Sequence, residues 1–178
     1  MATNLINTPT NLNFLSPLKF AFTVKKLPNV NFYVQSIVLP SISVTPSNVP
    51  SPFVKLPVPG DHVDFGEVQI TFKIDEDMSN YLEIYNWLYA LGFPEKFDQY
   101  RVLAEKDARQ NIGGDDGIMS DGTVIIYNSA SNVNMQVKLI NMFPTGLMDI
   151  ILDFKQPDVD YIEATATFAF ERMEISKL

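Results

Sequence analysis

The stretch that most constrains the fold is residues 57–92, where the spacing of apolar residues changes from that of a strand to that of a helix. Apolar and polar residues alternate strictly over residues 67–74, which predicts a strand with one face on a core and the other in water. Beyond the acidic residues 75–77, apolar residues recur every three or four positions and predict an amphipathic helix. They are Tyr81, Ile84, Tyr85, Leu88 and Leu91. Ser79 is a suitable N-cap, and Gly92 is a suitable stop signal.

The rest of the chain is patterned mainly for strands. Alternating or β-branched runs predict them over residues 18–24, 32–39, 123–129, 133–139, 148–154 and 163–175. We expect the first two strands to pair as a hairpin through a turn at residues 27–30, and we expect a further turn at residues 143–146. The predicted fold class is α+β, mostly β: two packed antiparallel sheets, sandwich or barrel-like, with one flanking helix.

Length and composition favour a single domain over residues 1–178. With 46% hydrophobic residues the chain can bury a sizeable core, but it is too short for us to expect two domains. Residues 1–16 are rich in Asn and Thr and are predicted to form an N-terminal arm. Residues 93–122 are predicted to form a long loop that is mobile near its glycines. Cysteine is absent, which excludes disulfides and zinc–thiolate sites.

Residues 40–59 are rich in proline and cannot lie inside a sheet, because proline removes ladder donors. We expect an extended, irregular segment or an edge strand. Two interpretations remain open: a surface loop packed on its own domain, or a contact arm that reaches a neighbouring subunit. For the contact arm, the candidate inter-subunit contacts are Val49, Phe53, Val54 and Leu56. Residues 27–54 carry no charge, but their prolines would break a spanning helix, so no membrane span is predicted.

Few residues indicate catalysis or ligand binding. His62 is the only histidine, and no nucleophile motif lies near it, so an exposed turn histidine is the better interpretation. Asp115, Asp116 and Asp121 could hold a cation, but their spacing fits no EF-hand loop and a solvated loop is favoured. Trp87 and the tyrosines of the predicted helix could stack on bases or sugars, but their spacing favours packing. We predict no enzyme activity, no catalytic residue, no cofactor and no metal.

Two parts of the chain resemble a known family. The order of a Pro-Gly-Asp turn at residues 59–61, the strand VDFGEVQITFKID and the helix YLEIYNWLYAL resembles the tail-tube proteins of contractile-tailed bacteriophages and related injection machines. The segment VKLINMFPTGL at residues 137–147 and the final strand EATATFAFERMEI look like the closing part of the same family. The long proline-rich segment and the insertion-like residues 93–122 leave open the main tube subunit or a specialised relative in the baseplate or neck.

The resemblance implies a structural, non-enzymatic subunit. Such subunits form stacked hexameric rings, and DNA passes through the lumen without specific binding. The implied partners are further copies of the chain and the sheath, baseplate and neck proteins. The implied location is the tail of a virion assembled in the host cytoplasm. The alternatives are a tube initiator or terminator ring and, from another class, a carbohydrate-binding or hydrolytic β-domain, since a fold alone does not define a function.

In such a ring, polar strand positions must face water, and some would face the lumen. The candidate lumen-facing residues are Glu67, Gln69, Thr71, Lys73, Gln136, Asp149, Asp153 and Thr165. The formal charge of −8 argues against a surface that grips phosphates. An acidic lumen of low adhesion would let DNA slide, because like charges repel.

Overall fold

The computed structural model describes residues 13–15, 18–92, 98, 118–150, 152 and 161–177. These residues form two helices and eleven antiparallel strands, which confirms the mostly β fold class but adds a second helix. The elements are β1 (Phe20–Val24), α1 (Pro28–Tyr33), β2 (Val34–Val38), β3 (Ile42–Val44), β4 (Ser47–Val49), β5 (Leu56–Val58), β6 (Val63–Phe65), β7 (Val68–Lys73), α2 (Ser79–Gly92), β8 (Ser120–Tyr127), β9 (Val133–Leu147), β10 (Glu163–Ala169) and β11 (Arg172–Lys177).

Strand β9 runs through two sheets and joins them. Its first half pairs with β8 and β11, and together with β1 these strands form the first sheet. Its second half pairs with β10, followed by β7 and β2, and these strands form the second sheet. At the junction, Asn141 has a positive φ of 55°. Its backbone N–H donates to Asp121 Oδ1 (3.1 Å) and its Nδ2 donates to Glu171 Oε2 (2.5 Å). These two hydrogen bonds hold Asn141 at the point where β9 changes from one sheet to the other.

One core lies between the two sheets and α2. It draws buried residues from the first sheet, from the second sheet and from α2. Those contributed by β7 are Val68, Ile70 and Phe72, which confirms the predicted alternation. On α2, Ile84 and Trp87 are buried, whereas Tyr85 of the predicted apolar stripe faces outward. The stripe is therefore confirmed in part, with Trp87 replacing Tyr85 in the core.

The start of α2 differs from the predicted N-cap. The helix begins at Ser79, and the N–H of Leu82 donates to the carbonyl of Met78, so the cap position precedes the serine. The carboxylate of Asp75 accepts from the N–H of Asn80 (3.3 Å). The fully buried Asn80 in turn donates from Nδ2 to the carbonyl of Lys73 (2.7 Å), which ties the end of β7 to the helix.

The predicted hairpin of the first two strands is wrong. Strand β1 pairs with β8 and β2 pairs with β7, because α1 lies between them where a turn was expected. Pro28 occupies the first turn of α1, where a missing N–H costs nothing. Glu83 of α2 accepts from the N–H groups of Asn29 (3.2 Å) and Val30 (3.4 Å) and so caps this short helix from a distant part of the chain.

Two further strand boundaries are corrected. The turn expected at residues 143–146 is part of β9, and the ladder shifts register beside Pro144, which has no N–H to donate. The single strand expected over residues 163–175 is broken after Ala169, because β10 follows the second half of β9 and β11 follows the first. Of the strand expected over residues 148–154, residues 148–150 and 152 are not in a strand, and the others lie outside the described residues.

Candidate assembly surfaces

Residues 41–66 form a β-ribbon outside the two sheets. Strand β3 pairs with β6, and β4 pairs with β5, so the proline-rich segment is a two-stranded hairpin rather than an irregular loop. Residues directly opposite in an antiparallel pair place their side chains on the same face. The pairs Ile42↔Phe65 and Val44↔Val63 therefore form an apolar face, with Ser43 and Asp64 on the reverse.

The base of the ribbon is held on the domain. The N–H of Gly66 donates to the carbonyl of Ser41 (2.9 Å), and the ring of Phe65 lies 5.6 Å from that of Phe170. A bend follows where Gly60 approaches Thr45 so closely that a Cβ would lie 2.1 Å from the threonine carbonyl oxygen. Only glycine fits at this position. Specific contacts therefore fix both the base of the ribbon and its bend.

The far part of the ribbon exposes apolar side chains. The four predicted inter-subunit contacts, Val49, Phe53, Val54 and Leu56, are all exposed, and Phe53 is 93% accessible. Every residue from 41 to 59 is exposed. Clustered exposed apolar side chains make this segment a candidate interaction surface.

The outer face of the second sheet is polar and nearly uncharged. Because alternate residues of β7 are buried, Gln69, Thr71 and Lys73 point away from the core. Thr165 of β10 lies opposite Thr71, with their hydroxyl oxygens 3.4 Å apart. Thr167 continues this face on β10 and accepts from the Thr145 hydroxyl (3.2 Å).

The other predicted lumen residues lie elsewhere. Glu67 is exposed immediately before β7, and Asp149 is exposed just after β9. Gln136 lies on the first sheet, between Ile125 and Ser176. Asp153 is outside the described residues. The structure therefore brings together Gln69, Thr71, Lys73 and Thr165, but not Gln136.

The residues considered for catalysis or cation binding do not form a site within the part of the chain that the structure describes. His62 Nδ1 lies 2.6 Å from Asp61 Oδ1, and both side chains are more than four-fifths exposed. Asp115 and Asp116 lie outside the described residues, and Asp121 accepts from Asn141. Among the described residues, no group of three acidic or histidine side chains could hold a metal ion. No helix in the described ranges is long and apolar enough to span a membrane.

The aromatic residues of α2 divide between packing and exposure. Trp87 is 3% accessible and donates from Nε1 to the carbonyl of Ile118 (3.0 Å), which confirms the packing interpretation for this residue. Tyr85 is 44% accessible and its ring stacks on that of Tyr89 at 5.5 Å. Leu82 of α2 is also exposed, as is Met78 immediately before the helix, so α2 carries an apolar stripe on its outer side. This outer stripe was not predicted from the sequence, although the three-residue spacing of Leu82 and Tyr85 indicates it.

One carboxyl near α2 has a perturbed pKa. Partial burial of Glu83 between α1 and α2 raises its pKa above the ordinary value of 4.5. The hydrogen bonds from Val30 and Asn29 oppose this shift, because they favour the charged form. Glu83 is therefore a structural cap, and sequence reasoning did not identify it.

No protein-family model and no curated protein matches the sequence. Solved structures do match. A chain of the PVC sheath-tube complex, from an extracellular contractile injection system in the extended state, has a TM-score of 0.61 at 14% identity, covering 97% of this chain and 95% of that chain. The chain shares its fold with contractile-injection tube proteins.

Proteins at the ends of such tubes are similar to the same degree. A chain of the PVC sheath/tube terminator structure has a TM-score of 0.62 at 15% identity, covering 93% of this chain and 99% of that chain. A chain of the anti-feeding prophage tube-terminating cap has a TM-score of 0.60 at 13% identity, covering 99% and 100%. The expected likeness to tube proteins is confirmed for the fold, and the scores do not separate tube from terminator.

Proposed function

We propose that this protein is a structural subunit of the tube of a contractile injection machine, where it forms stacked hexameric rings around a conduit for DNA. The observation that carries the proposal is the ribbon of residues 41–66. Its apolar side chains are exposed to water in the single chain, which is unfavourable in free energy. Burial of these side chains against another copy would remove this unfavourable exposure. The similarity in fold to a chain of a sheath-tube complex supports the same proposed function.

The edges of the second sheet support closure into a ring. Strand β2 lies at one edge, and among the described residues 143–147 of β9 pair on one side only, with β10. Exposed edges invite pairing with another chain, and a closed barrel removes them. Pro144 lies on this edge strand, which is where a sheet tolerates proline. Pairing of β2 with residues 143–147 of the next copy would make the second sheets one continuous wall.

The outer face of the second sheet would then line the lumen. Gln69, Thr71 and Thr165 offer amide and hydroxyl groups, and Lys73 is the cation among the predicted lumen residues. Glu67 and Asp149 would lie near the rims. A lumen with few cations and a protein of net charge −8 would not hold phosphates, so DNA would slide through it. The outside of the tube would face the sheath, and the end rings would face the baseplate and neck of the tail.

A tube terminator or initiator is the second candidate. It is favoured by the terminator and cap structures, whose TM-scores of 0.62 and 0.60 are within 0.01 of the 0.61 of the sheath-tube complex. Such a subunit would use the same ring contacts but would stop after one ring. Electron microscopy separates the two candidates, because a main tube subunit elongates.

The ribbon provides the test of the proposal. Deletion of residues 49–53 removes part of the far end of the ribbon but no residue of the core, so the variant should fold and fail to assemble. Circular dichroism reports folding, and negative-stain electron microscopy reports assembly. The matched control is Phe32→Ser, which changes an exposed phenylalanine on α1 instead of the ribbon. Normal assembly of the deletion variant would remove the ribbon from the mechanism.

A further inference from the structure

Two apolar surfaces of this chain lie exposed on different elements. One is the ribbon tip, residues 49–56, where Phe53 and Val54 are exposed. The other is the outer stripe of α2, formed by Leu82 and Tyr85, with the exposed Met78 immediately before the helix. Leu82 and Tyr85 are spaced i, i+3, so they lie on one side of the helix, whereas Met78 precedes the helix with a positive φ of 54°. The opposite side of α2 already packs on the core through Ile84 and Trp87.

The charges around the two surfaces are complementary. Lys55 is the only charged residue between positions 41 and 60, so the ribbon tip carries one cation and no acid. Residues 74–92 contain Asp75, Glu76, Asp77 and Glu83 but no lysine or arginine. Glu76 and Asp77 are exposed beside Met78, at the start of the outer stripe. Complementary charges select a partner and set its register.

The geometry points to one pairing. We propose that the ribbon tip of one copy docks on the outer stripe of α2 in the next copy, with Phe53 against Leu82 and Tyr85 and with Lys55 near Glu76 and Asp77. This inference rests on the proposed function, since it specifies how copies of this chain hold each other. The contact is heterologous: each copy gives its ribbon to one neighbour and receives the ribbon of another, as ring closure or stacking requires.

The ribbon is long enough to reach a neighbour. Residues 42–52 can extend over at most about 33 Å at roughly 3.3 Å per residue. This length is several times the approximately 10 Å diameter of a helix, so the ribbon is long enough to lie across a helix of an adjacent copy. In the single chain the tip does not fold back on α2, because Phe53 is 93% accessible and Leu82 is 46% accessible.

Cysteine crosslinking tests the pairing directly, because the chain contains no cysteine. A Phe53→Cys protein is mixed with a Leu82→Cys protein, assembled and oxidised. A disulfide requires Cα atoms within about 4.4–6.8 Å, so a heterodimer reports contact between copies. The control mixes Phe53→Cys with Ser176→Cys, an exposed position on β11. We expect a heterodimer with Leu82→Cys and none with Ser176→Cys.

Charge reversal provides a second readout. Lys55→Glu should abolish the crosslink at low salt, and combining it with Glu76→Lys and Asp77→Lys should restore the crosslink. Because all three side chains are exposed, these variants should keep the fold, which circular dichroism checks.

The outcomes separate this inference from the proposed function. Rings or tubes that form without the Phe53–Leu82 crosslink, or that give equal crosslinking to Ser176→Cys, overturn the docking inference alone. Failure of charge reversal to restore the crosslink also overturns the assigned charge contact. Absence of any oligomer in the unsubstituted protein would refute both the docking inference and the ring-forming function.

Discussion

Replacement of Phe53 by alanine should weaken assembly without weakening the fold. Phe53 is 93% accessible in the single chain, so its truncation removes almost no buried area from the monomer. If the ribbon tip becomes buried against another copy, the apolar burial lost with the Phe53 ring is worth about 1.5–3 kcal/mol for each contact. Since 1.4 kcal/mol corresponds to about a factor of ten in an equilibrium constant, the concentration needed for assembly should rise roughly 10- to 100-fold.

Two assays separate the two effects. Urea denaturation of dilute protein should give the same free energy of unfolding for Phe53→Ala and the unsubstituted chain, within about 0.5 kcal/mol. Sedimentation across a concentration series should show the raised assembly threshold. Phe32→Ala is the control, because Phe32 is also highly exposed but lies on α1. An unchanged threshold for Phe53→Ala, or an equal change for Phe32→Ala, would refute the reasoning.

The remaining predictions concern the fold, pH and the lumen. Asn80→Ala should lower the free energy of unfolding by about 2–4 kcal/mol in urea denaturation, because the carbonyl of Lys73 loses its donor and a small cavity remains. An effect below about 0.5 kcal/mol would contradict a stabilising role for this hydrogen bond. Ser120→Ala should be neutral or slightly stabilising, because Ser120 Oγ is buried and has no hydrogen-bond partner among the described residues, and clear destabilisation in the same assay would contradict this. Because the folded-state pKa of Glu83 is raised, its contribution to stability should be complete below pH 4.5 and be lost as pH rises through the raised value. The difference in unfolding free energy between the unsubstituted chain and Glu83→Gln should therefore fall over that range, and a rise would show that the hydrogen bonds from α1 outweigh burial. Asp149→Lys should slow DNA ejection from assembled particles if the rim faces the lumen, and unchanged ejection kinetics would count against that position.

The parts of the fold predicted well are those whose signal is local. The alternation in β7 depends on neighbouring residues and is confirmed, whereas residues 93–97, which follow the predicted stop at Gly92, lie outside the described residues. The missed helix α1 depends on Glu83, which lies more than fifty residues along the chain and supplies the cap that the local sequence lacks. No local pattern could reveal that contact.

Other errors arose where tertiary pairing overrides local turn signals. The Pro-Thr-Gly signal in β9 predicts a turn, but pairing with β10 keeps the segment extended and a register shift accommodates Pro144. The ribbon is a similar case, because Pro57 lies in β5 opposite Asn48 on a two-stranded ladder with free edges.

The four candidate contact residues are exposed, as expected for apolar residues in a proline-rich segment that cannot lie inside a sheet. Their contact with another copy stays a prediction. The outer stripe of α2 was not identified, because Tyr85 matches the inner and outer spacings equally well in the sequence. The position of Gln136 could not be predicted either, since period-two alternation gives the face of a strand but not the sheet to which it belongs.

The most direct test of the central claim is negative-stain electron microscopy of the purified chain over a concentration series. We expect hexameric rings that stack into hollow tubes as concentration rises, whereas single rings at every concentration would favour the terminator or initiator. Monomers throughout, with no ring at any concentration, would contradict the claim that this fold and its ribbon form a tube.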